Sequence, residues 1–164
     1  MKIGVLSDTH DNLSNLIFVL DSCRQQGIDT LIHCGDLTGL DMVSHLKGFR
    51  VIFTMGNMDT VTGTIKNRLE KMRDNNFAGP VFRGSLDGVP VAAVHSHVDG
   101  AVMALVREKH YKWIFHGHSH QRRDEVLQGV RIVNPGALGG LRKESYSFCM
   151  VDLETDEVEF IKVK

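Results

Sequence analysis

The stretch Phe115-His116-Gly117-His118-Ser119-His120-Gln121 places three histidines at alternate positions directly after an apolar run. Successive side chains of an extended segment point to opposite sides, so the three imidazoles share one side unless Gly117 bends the chain. Imidazole nitrogens are common metal ligands, and such a site is usually completed by carboxylates. The stretch therefore predicts a metal site and directs attention to acidic residues elsewhere in the chain.

The composition is that of an ordinary globular protein. The chain has 164 residues, 42% of them hydrophobic and 24% charged, which suits a single domain over residues 1–164. A net charge of −1 provides no signature for nucleic acid or for an anionic membrane surface. Nine histidines are the one compositional anomaly.

The cysteines and the N-terminal residues indicate the cellular compartment of the protein. Cys23, Cys34 and Cys149 are odd in number and widely spaced, which favours free thiols over a disulfide framework. Met1-Lys2 lead into a short apolar run without the features of a signal peptide. No apolar run approaches the roughly 20 residues needed to span a bilayer. We therefore expect a cytoplasmic protein.

Hydrophobic periodicity in the first half predicts strands that alternate with helices. Apolar runs predict strands at 3–6, 30–34 and 50–54, and helical spacing predicts helices at 13–23, 40–46 and 65–72. Asn12 is a suitable N-cap for the first helix, and Gly27 closes it. Alternation of this kind is typical of parallel βαβ units.

The second half predicts antiparallel pairs. Runs at 81–86 and 89–94 flank Asp87-Gly88, a hairpin turn sequence, and 126–133 and 146–162 predict two further hairpins. A helix over 98–106 and a strand over 112–116 lie between them. The predicted fold class is therefore α/β, with two sheets of mixed parallel and antiparallel strands.

Polar residues follow the carboxyl ends of five predicted strands. They are Asp8-Thr9-His10, Gly35-Asp36, Gly56-Asn57, His95-Ser96-His97 and His118-Ser119-His120. Open α/β sheets bind ligands at the carboxyl ends of their strands, so we expect these side chains at one rim. Asp, His and Asn ligands suit manganese, iron, nickel, cobalt or zinc. Two such ions about 3.5–4 Å apart clamp the attacking and leaving oxygens of a phosphoryl group.

The order DxH, GD, GNxD, a lone histidine after a strand, and GHSH resembles the calcineurin-like metallophosphoesterase superfamily. The compact length and Asn134-Pro135-Gly136 are similar to its small prokaryotic YfcE-like phosphodiesterase branch. The resemblance runs from Asp8 to about Gly136. It implies a two-sheet αββα sandwich that forms one metallophosphoesterase domain. It also implies hydrolysis of a small phosphoester, most simply a phosphodiester, by a hydroxide that bridges two divalent metal ions, commonly manganese.

The resemblance also implies the roles of individual residues. Asp8, His10, Asp36 and His120 surround one ion, and Asp36, Asn57, His95 and His118 surround the other, with Asp36 as the bridge. Candidate catalytic residues are His10, Asn57 and His97. For His97, contact with the substrate phosphate and a purely structural role both stay open. His33 and His116 are predicted to be structural, and Asp59 to bond backbone or to orient a ligand.

Two positions depart from the family pattern. Many members have a histidine directly after the asparagine, where it stabilises the transition state or protonates the leaving group, and Met58 occupies that position here. The metal ions and either His10 or His97 then have to cover this role. Ser96 replaces the usual glycine after His95, at a point where the backbone passes close to the metals.

The ligand pattern is compatible with more than one function. Hydrolysis of a phosphodiester is the favoured interpretation. The alternatives are a phosphomonoesterase or nucleotide phosphatase with the same site, and a catalytically weak, metal-binding interaction scaffold. A retromer subunit of this fold serves mainly as such a scaffold, although it has lost part of the metal set. Related proteins also suggest a homodimer.

Overall fold

The computed structural model describes residues 1–163. They form eleven strands, arranged in two sheets, and four helices. The helices are α1 (Leu13–Gln25), α2 (Leu40–His45), α3 (Thr62–Met72) and α4 (Ala101–Glu108). The strands are β1 (Lys2–Leu6), β2 (Thr30–His33), β3 (Arg50–Thr54), β4 (Phe77–Gly79), β5 (Val81–Leu86), β6 (Val89–Val94), β7 (Trp113–His116), β8 (Arg122–Leu127), β9 (Val130–Pro135), β10 (Ser147–Asp152) and β11 (Glu157–Lys162). No helix in this described range is long and apolar enough to cross a bilayer.

The first sheet has six strands in the order β11-β10-β1-β2-β3-β4. Strands β1 to β4 are parallel, and β10 and β11 add an antiparallel edge. Helix α1 begins after Asn12, whose side chain accepts a hydrogen bond of 3.2 Å from the backbone N–H of Asn15. Gly27 follows the helix in a left-handed conformation. The predicted βαβ units and the predicted cap are therefore confirmed.

The second sheet has five strands in the order β5-β6-β7-β9-β8. Strands β6, β7 and β9 are parallel at its centre, while β5 and β8 pair antiparallel at its edges. The hairpin turn at Asp87-Gly88 joins β5 to β6, as its sequence predicts.

Alternating side chains divide the core into three layers. Ile3 and Val5 of the first sheet pack against Phe115 and Val133 of the second sheet, between the two sheets. Helices α1 to α3 cover the other face of the first sheet, and α4 covers the other face of the second. The two-sheet αββα sandwich is confirmed. All three cysteines are buried free thiols, and burial raises the pKa of each.

Three elements depart most from the sequence prediction. The short strand β4 has no counterpart there, because three residues that include alanine and glycine carry no periodic signal. Helix α4 begins at Ala101, because Gly100 adopts a left-handed conformation, and Val98 lies in the preceding turn. Strand β8 begins at Arg122, four residues before the predicted start, because its polar, exposed edge position hides the alternation.

We expect Phe115→Ala to lower the free energy of unfolding by about 3–5 kcal/mol, because it empties space between the two sheets. The Phe115 ring is fully buried and stacks on Trp113, with 5.8 Å between the ring centroids. The matched control is Val126→Ala on β8, where the side chain is 69% exposed, and we expect a change within about 0.5 kcal/mol. Urea unfolding in the presence of a chelator measures both, and equal losses would contradict the assigned layers.

Candidate metal centre

The carboxyl ends of five parallel strands, β1, β2, β3, β6 and β7, meet at one rim. Two contacts join the sheets there. The carbonyl oxygen of Cys34 lies 2.6 Å from Nδ1 of His95, and the backbone N–H of His118 donates to Oδ2 of Asp8 at 3.0 Å. The predicted convergence of strand ends from both sheets is therefore observed.

The first cluster consists of Asp8, His10 and His120, whose side chains could hold one metal ion. Nε2 of His120 lies 3.2 Å from Nε2 of His10 and 3.3 Å from Oδ1 of Asp8. Oδ1 of Asp8 lies 3.9 Å from Nε2 of His10. Two imidazole nitrogens and one carboxylate oxygen therefore face a common centre.

The second cluster consists of Asp36, His95 and His118, which the structure also brings within reach of one ion. Oδ1 of Asn57 joins it at 3.2 Å from Nε2 of His95. Oδ2 of Asp36 lies 3.4 Å from Nε2 of His95 and 3.9 Å from Nε2 of His10. This oxygen therefore lies between the two clusters, in the position that a bridging ligand requires.

Hydrogen bonds to backbone orient two of the imidazoles. Nδ1–H of His95 donates to the carbonyl of Cys34, and Nδ1–H of His120 donates to the carbonyl of Leu141 at 2.9 Å. In a neutral imidazole, the other nitrogen then carries a lone pair. Nε2 of both histidines is thereby prepared as a metal ligand, in the manner of outer partners around known metal sites.

The carboxylates are oriented in the same way. Oδ2 of Asp8 accepts hydrogen bonds from the hydroxyl of Ser7 at 2.5 Å and from the N–H of His118 at 3.0 Å. Oδ1 of Asp36 accepts from the N–H of Met58 at 2.8 Å. Each carboxylate therefore keeps its second oxygen for the centre.

The converging atoms fit a pair of cations. Oδ1 of Asp8 is buried and has no hydrogen-bond partner within residues 1–163. Nε2 of His95 lies 3.4 Å from Oδ2 of Asp36 and 3.2 Å from Oδ1 of Asn57, so three acceptors point at one another whenever the His95 ring is neutral. Such an arrangement is unfavourable unless a positive charge occupies the middle. Oxygen and imidazole donors suit borderline first-row divalent metals.

The electrostatics favour ionised carboxylates. Burial acts to raise the pKa of Asp8, but His120, Ser7 and His95 outweigh it and hold the pKa below its usual value. Burial likewise opposes the lowering at Asp36, where His95 and the N–H of Met58 dominate. Both carboxylates are thus charged at neutral pH.

The pKa values of the imidazoles shift in different directions. The Asp8 carboxylate raises the pKa of His120. Burial acts to lower the pKa of His95, but the neighbouring Asp36 and Asp8 raise it overall. Burial and the nearby His95 lower the pKa of His118. The two raised values reflect an excess of negative charge at the centre, which a metal ion would also neutralise.

The backbone is strained at five of the seven predicted ligands. The φ angle is 52° at Asp8, 43° at His10, 56° at Asp36, 76° at His118 and 56° at His120. Residues other than glycine rarely adopt these φ values, and each residue held in this conformation costs on the order of 1–3 kcal/mol of conformational free energy. Strain of this kind concentrates at functional sites, where the surrounding structure holds it.

Gly117 has a different role from the predicted turn. The left-handed residues His118 and His120 turn the chain, so that their rings enter different clusters. A Cβ atom on Gly117 would overlap the hydroxyl oxygen of Ser7 and lie 2.9 Å from Oδ2 of Asp8. Glycine is therefore needed at 117, because the loop after β7 passes directly over the residues that follow β1.

Two buried polar residues hold the loops of the rim. Asp59 accepts hydrogen bonds of 2.9 Å from the N–H of Asp36 and 2.7 Å from that of Gly56, which joins the loops after β2 and β3. Burial raises the pKa of Asp59. Nδ2 of Asn134 donates to the carbonyl of Gly117 at 3.3 Å. The predicted backbone role of Asp59 is confirmed, and Asn134, which lies in strand β9 and not in a turn, holds the loop after β7.

His33 and His116 are structural, as their sequence positions predict. The hydroxyl of Thr9 lies 2.8 Å from Nε2 of His33, whose Nδ1 accepts from the N–H of Gly35 at 3.2 Å. Nδ1 of His116 lies 3.2 Å from the hydroxyl of Ser96. Burial lowers the pKa of both histidines to about 4, so both rings are neutral at physiological pH.

His97 lies beside the second cluster without joining it. Its ring centroid is 5.5 Å from that of His95 and 6.3 Å from that of His118. Nδ1–H of His97 donates to the carbonyl of His95 at 3.0 Å, and the side chain is exposed. Its role in catalysis stays a prediction.

The two departures from the family pattern have separate outcomes. The side chain of Met58 is 51% exposed, while its N–H holds Asp36. The hydroxyl of Ser96 donates to the carbonyl of Gly117 at 2.8 Å and contacts His116. Ser96 therefore ties two rim loops together and does not narrow the centre.

One part of the rim has no counterpart in the sequence prediction. The N–H of Gly139 donates to the carbonyl of Asp8 at 2.8 Å, and the carbonyl of Leu141 accepts from His120. Gly140 has a φ of 69°, and a Cβ atom there would lie 2.5 Å from Cδ2 of His10. The adjacent glycines at 139 and 140 were the available signal for this close approach.

Comparison with known proteins agrees with this geometry. The sequence model described as the calcineurin-like phosphoesterase superfamily domain matches residues 1–156. The chain is 27% identical over 159 residues to the phosphodiesterase MJ0936 of Methanocaldococcus jannaschii, and the match covers 96% of each chain.

Solved structures provide the same comparison at the level of the fold. A structure described as a novel archaeal phosphodiesterase is 27% identical, with a TM-score of 0.94 over 99% of this chain and 100% of that one. The phosphoesterase YfcE from E. coli is 19% identical, with a TM-score of 0.70 and complete coverage of both chains. The second likeness concerns the fold alone.

We expect Gly117→Ala to weaken metal binding by roughly 10- to 100-fold, as the loss of an outer partner of a metal ligand does. The added methyl group would displace Ser7 or Asp8. Gly63→Ala is the matched control, because a Cβ atom there meets nothing within 4 Å and its helix gains about 0.5–1 kcal/mol. Titration with Mn²⁺ by calorimetry measures both, and unchanged affinity in Gly117→Ala would contradict the packing.

Proposed function

Because the chain belongs to the calcineurin-like phosphoesterase superfamily, we propose that it is a metal-dependent hydrolase of a small phosphodiester. The residues proposed to hold two divalent ions are Asp8, His10, Asp36, Asn57, His95, His118 and His120. The supporting observation is the arrangement of two clusters that share Oδ2 of Asp36. Manganese is the proposed metal, and iron, nickel, cobalt and zinc fit the same donors.

The metal pair would supply a hydroxide nucleophile near neutral pH and neutralise charge on the phosphoryl oxygens. The chain itself contributes orientation. Asp36 holds the two clusters at a short separation, and the carbonyls of Cys34 and Leu141 keep His95 and His120 in the tautomer that binds a cation. Because these groups are positioned before the substrate arrives, little reorganisation is needed during the reaction.

A phosphodiester is favoured over a monoester by two observations. The 27% identical relative from M. jannaschii is named a phosphodiesterase. The side chain of Met58 is exposed, and because the N–H of this residue donates to Asp36, it adds apolar surface to the loop that holds the bridging carboxylate. An apolar surface there suits the carbon-bearing ester arm that a diester has in addition to its leaving group, and it offers nothing to the extra charge of a monoester.

The leaving group needs a proton, and we assign its delivery to His97. Nε2 of His10 is directed at His120 and Asp36, so it is not free for this task. His97 donates Nδ1–H to the carbonyl of His95, which leaves Nε2 of this exposed side chain for another partner beside the second cluster. Protonation at Nε2 would make His97 a general acid within reach of a departing alkoxide.

We expect Asp36→Asn and His118→Ala to lower the hydrolysis of bis-p-nitrophenyl phosphate in the presence of Mn²⁺ by more than about 100-fold, because each removes a proposed ligand. The control is His45→Ala, which removes an exposed imidazole from the far end of α2. Release of p-nitrophenolate at saturating metal measures the rates, with p-nitrophenyl phosphate as the monoester reference. Equal rates in all three variants and the wild type would refute the proposal.

We expect the effect of His97→Ala to depend on the leaving group. Thymidylyl-(3′→5′)-thymidine releases a sugar alkoxide that needs a proton, so its hydrolysis should fall on the order of 10²- to 10⁴-fold. Bis-p-nitrophenyl phosphate releases a stable phenolate, and we expect a loss below about tenfold. The control is His110→Ala, an exposed residue beyond α4. The same loss on both substrates would instead indicate a structural role for His97.

A further inference from the structure

The basic segment, residues 139–145 between β9 and β10, passes directly beside the first cluster. The carbonyl of Leu141 accepts the Nδ1–H of His120 at 2.9 Å, and Gly140 packs against the ring of His10. Arg142 and Lys143 follow Leu141 and are exposed. Consecutive Cα atoms are about 3.8 Å apart, so the Cα of Lys143 lies at most about 7.6 Å from that of Leu141.

The basic segment is held at both ends. At its start, the N–H of Gly139 donates to the carbonyl of Asp8 at 2.8 Å, and the hydroxyl of Tyr146 donates to the carbonyl of Gly140 at 3.1 Å. At its end, Arg122 donates to the carbonyl of Ser145 at 3.2 Å. The two cations are thus presented from a backbone that is tied to the candidate metal centre.

Within residues 1–163, no carboxylate forms an ion pair with either of these cations. Glu144 is the adjacent acidic residue in the chain, and its carboxylate is bonded to Arg122, with 2.9 Å to the guanidinium. The guanidinium of Arg142 lies over the ring of Tyr146, 5.5 Å from its centroid. A guanidinium supported on an aromatic face keeps its donors available to an anion.

The position of the two cations follows from the backbone. Because the Leu141 carbonyl bonds His120, Arg142 and Lys143 are the two residues that directly follow a contact with the first cluster. The basic segment therefore places positive charge on the side of the first cluster, outside the atoms of that cluster.

We propose that Arg142 and Lys143 bind a second phosphate group of the substrate, on the ester arm that lies over the first cluster. This inference rests on the proposed function and narrows it to a phosphodiester that carries a further phosphate. The two candidate metal ions already neutralise the single charge of a scissile diester, so two additional cations beside them match an additional anion. Arg and Lys are the side chains that bind phosphate by charge-assisted hydrogen bonds.

The test compares two probes that differ by one phosphate. They are thymidine 5′-(p-nitrophenyl phosphate) and the same ester with a 3′-phosphate, both assayed with Mn²⁺. We expect the wild type to prefer the 3′-phosphorylated ester in kcat/KM. The variant Arg142→Ala/Lys143→Ala should lose roughly 10- to 100-fold on that ester through KM, and stay within about twofold on the other. The control is Lys47→Ala, which removes an exposed cation two residues beyond the end of α2.

Three outcomes would overturn the inference. They are equal use of both esters by the wild type, an unchanged preference in the double variant, and an equal loss of preference in Lys47→Ala. Calorimetric binding of thymidine 3′,5′-bisphosphate separates this inference from the proposed function, because it needs no turnover. If neither ester is hydrolysed, weaker binding of the bisphosphate by the double variant still supports the second phosphate site, and equal binding still refutes it.

Discussion

Lone pairs that face one another across a small volume are the constraint on which the rest of this structure depends. Oδ1 of Asp8 is buried without a hydrogen-bond partner in the described chain, and Oδ2 of Asp36 faces the Nε2 atoms of both His10 and His95. Acceptors held this way repel one another, so the arrangement requires positive charge at the centre and a backbone that does not relax. The left-handed conformations at five of the seven predicted ligands are unfavourable, and burial of the apolar layers on both sides of the first sheet offsets their cost.

Parallel strands explain how so many polar side chains reach one place. The central strands of both sheets are parallel, so their carboxyl ends lie at a common edge, and the two edges meet. The loops then interlock through backbone groups. The Cys34 carbonyl orients His95, the His118 N–H orients Asp8, and Asp59 joins the loops after β2 and β3. The candidate centre is thus a property of the junction between the sheets.

In the proposed function, selectivity comes from the parts of the rim that do not face the centre. A metal pair interacts with phosphate oxygens and does not distinguish what the ester arms carry. Three elements of the rim differ in chemistry. Met58 has an apolar side chain, His97 has an imidazole ring, and the basic segment has two cations. These elements come from loops, which vary without disturbing the sheets that support the ligands.

The sequence by itself determined the strand and helix alternation, the family, and the seven candidate ligands, because apolar periodicity and closely spaced polar motifs are local signals. It did not determine the edge strand β4 or the early start of β8, which lack that periodicity. Only the tertiary structure decided that Gly117 is needed for close approach to Ser7, that Ser96 turns away from the centre, and that the basic segment lies beside His120. Those relations join residues far apart in the chain, and they depend on loop conformations that no local pattern specifies.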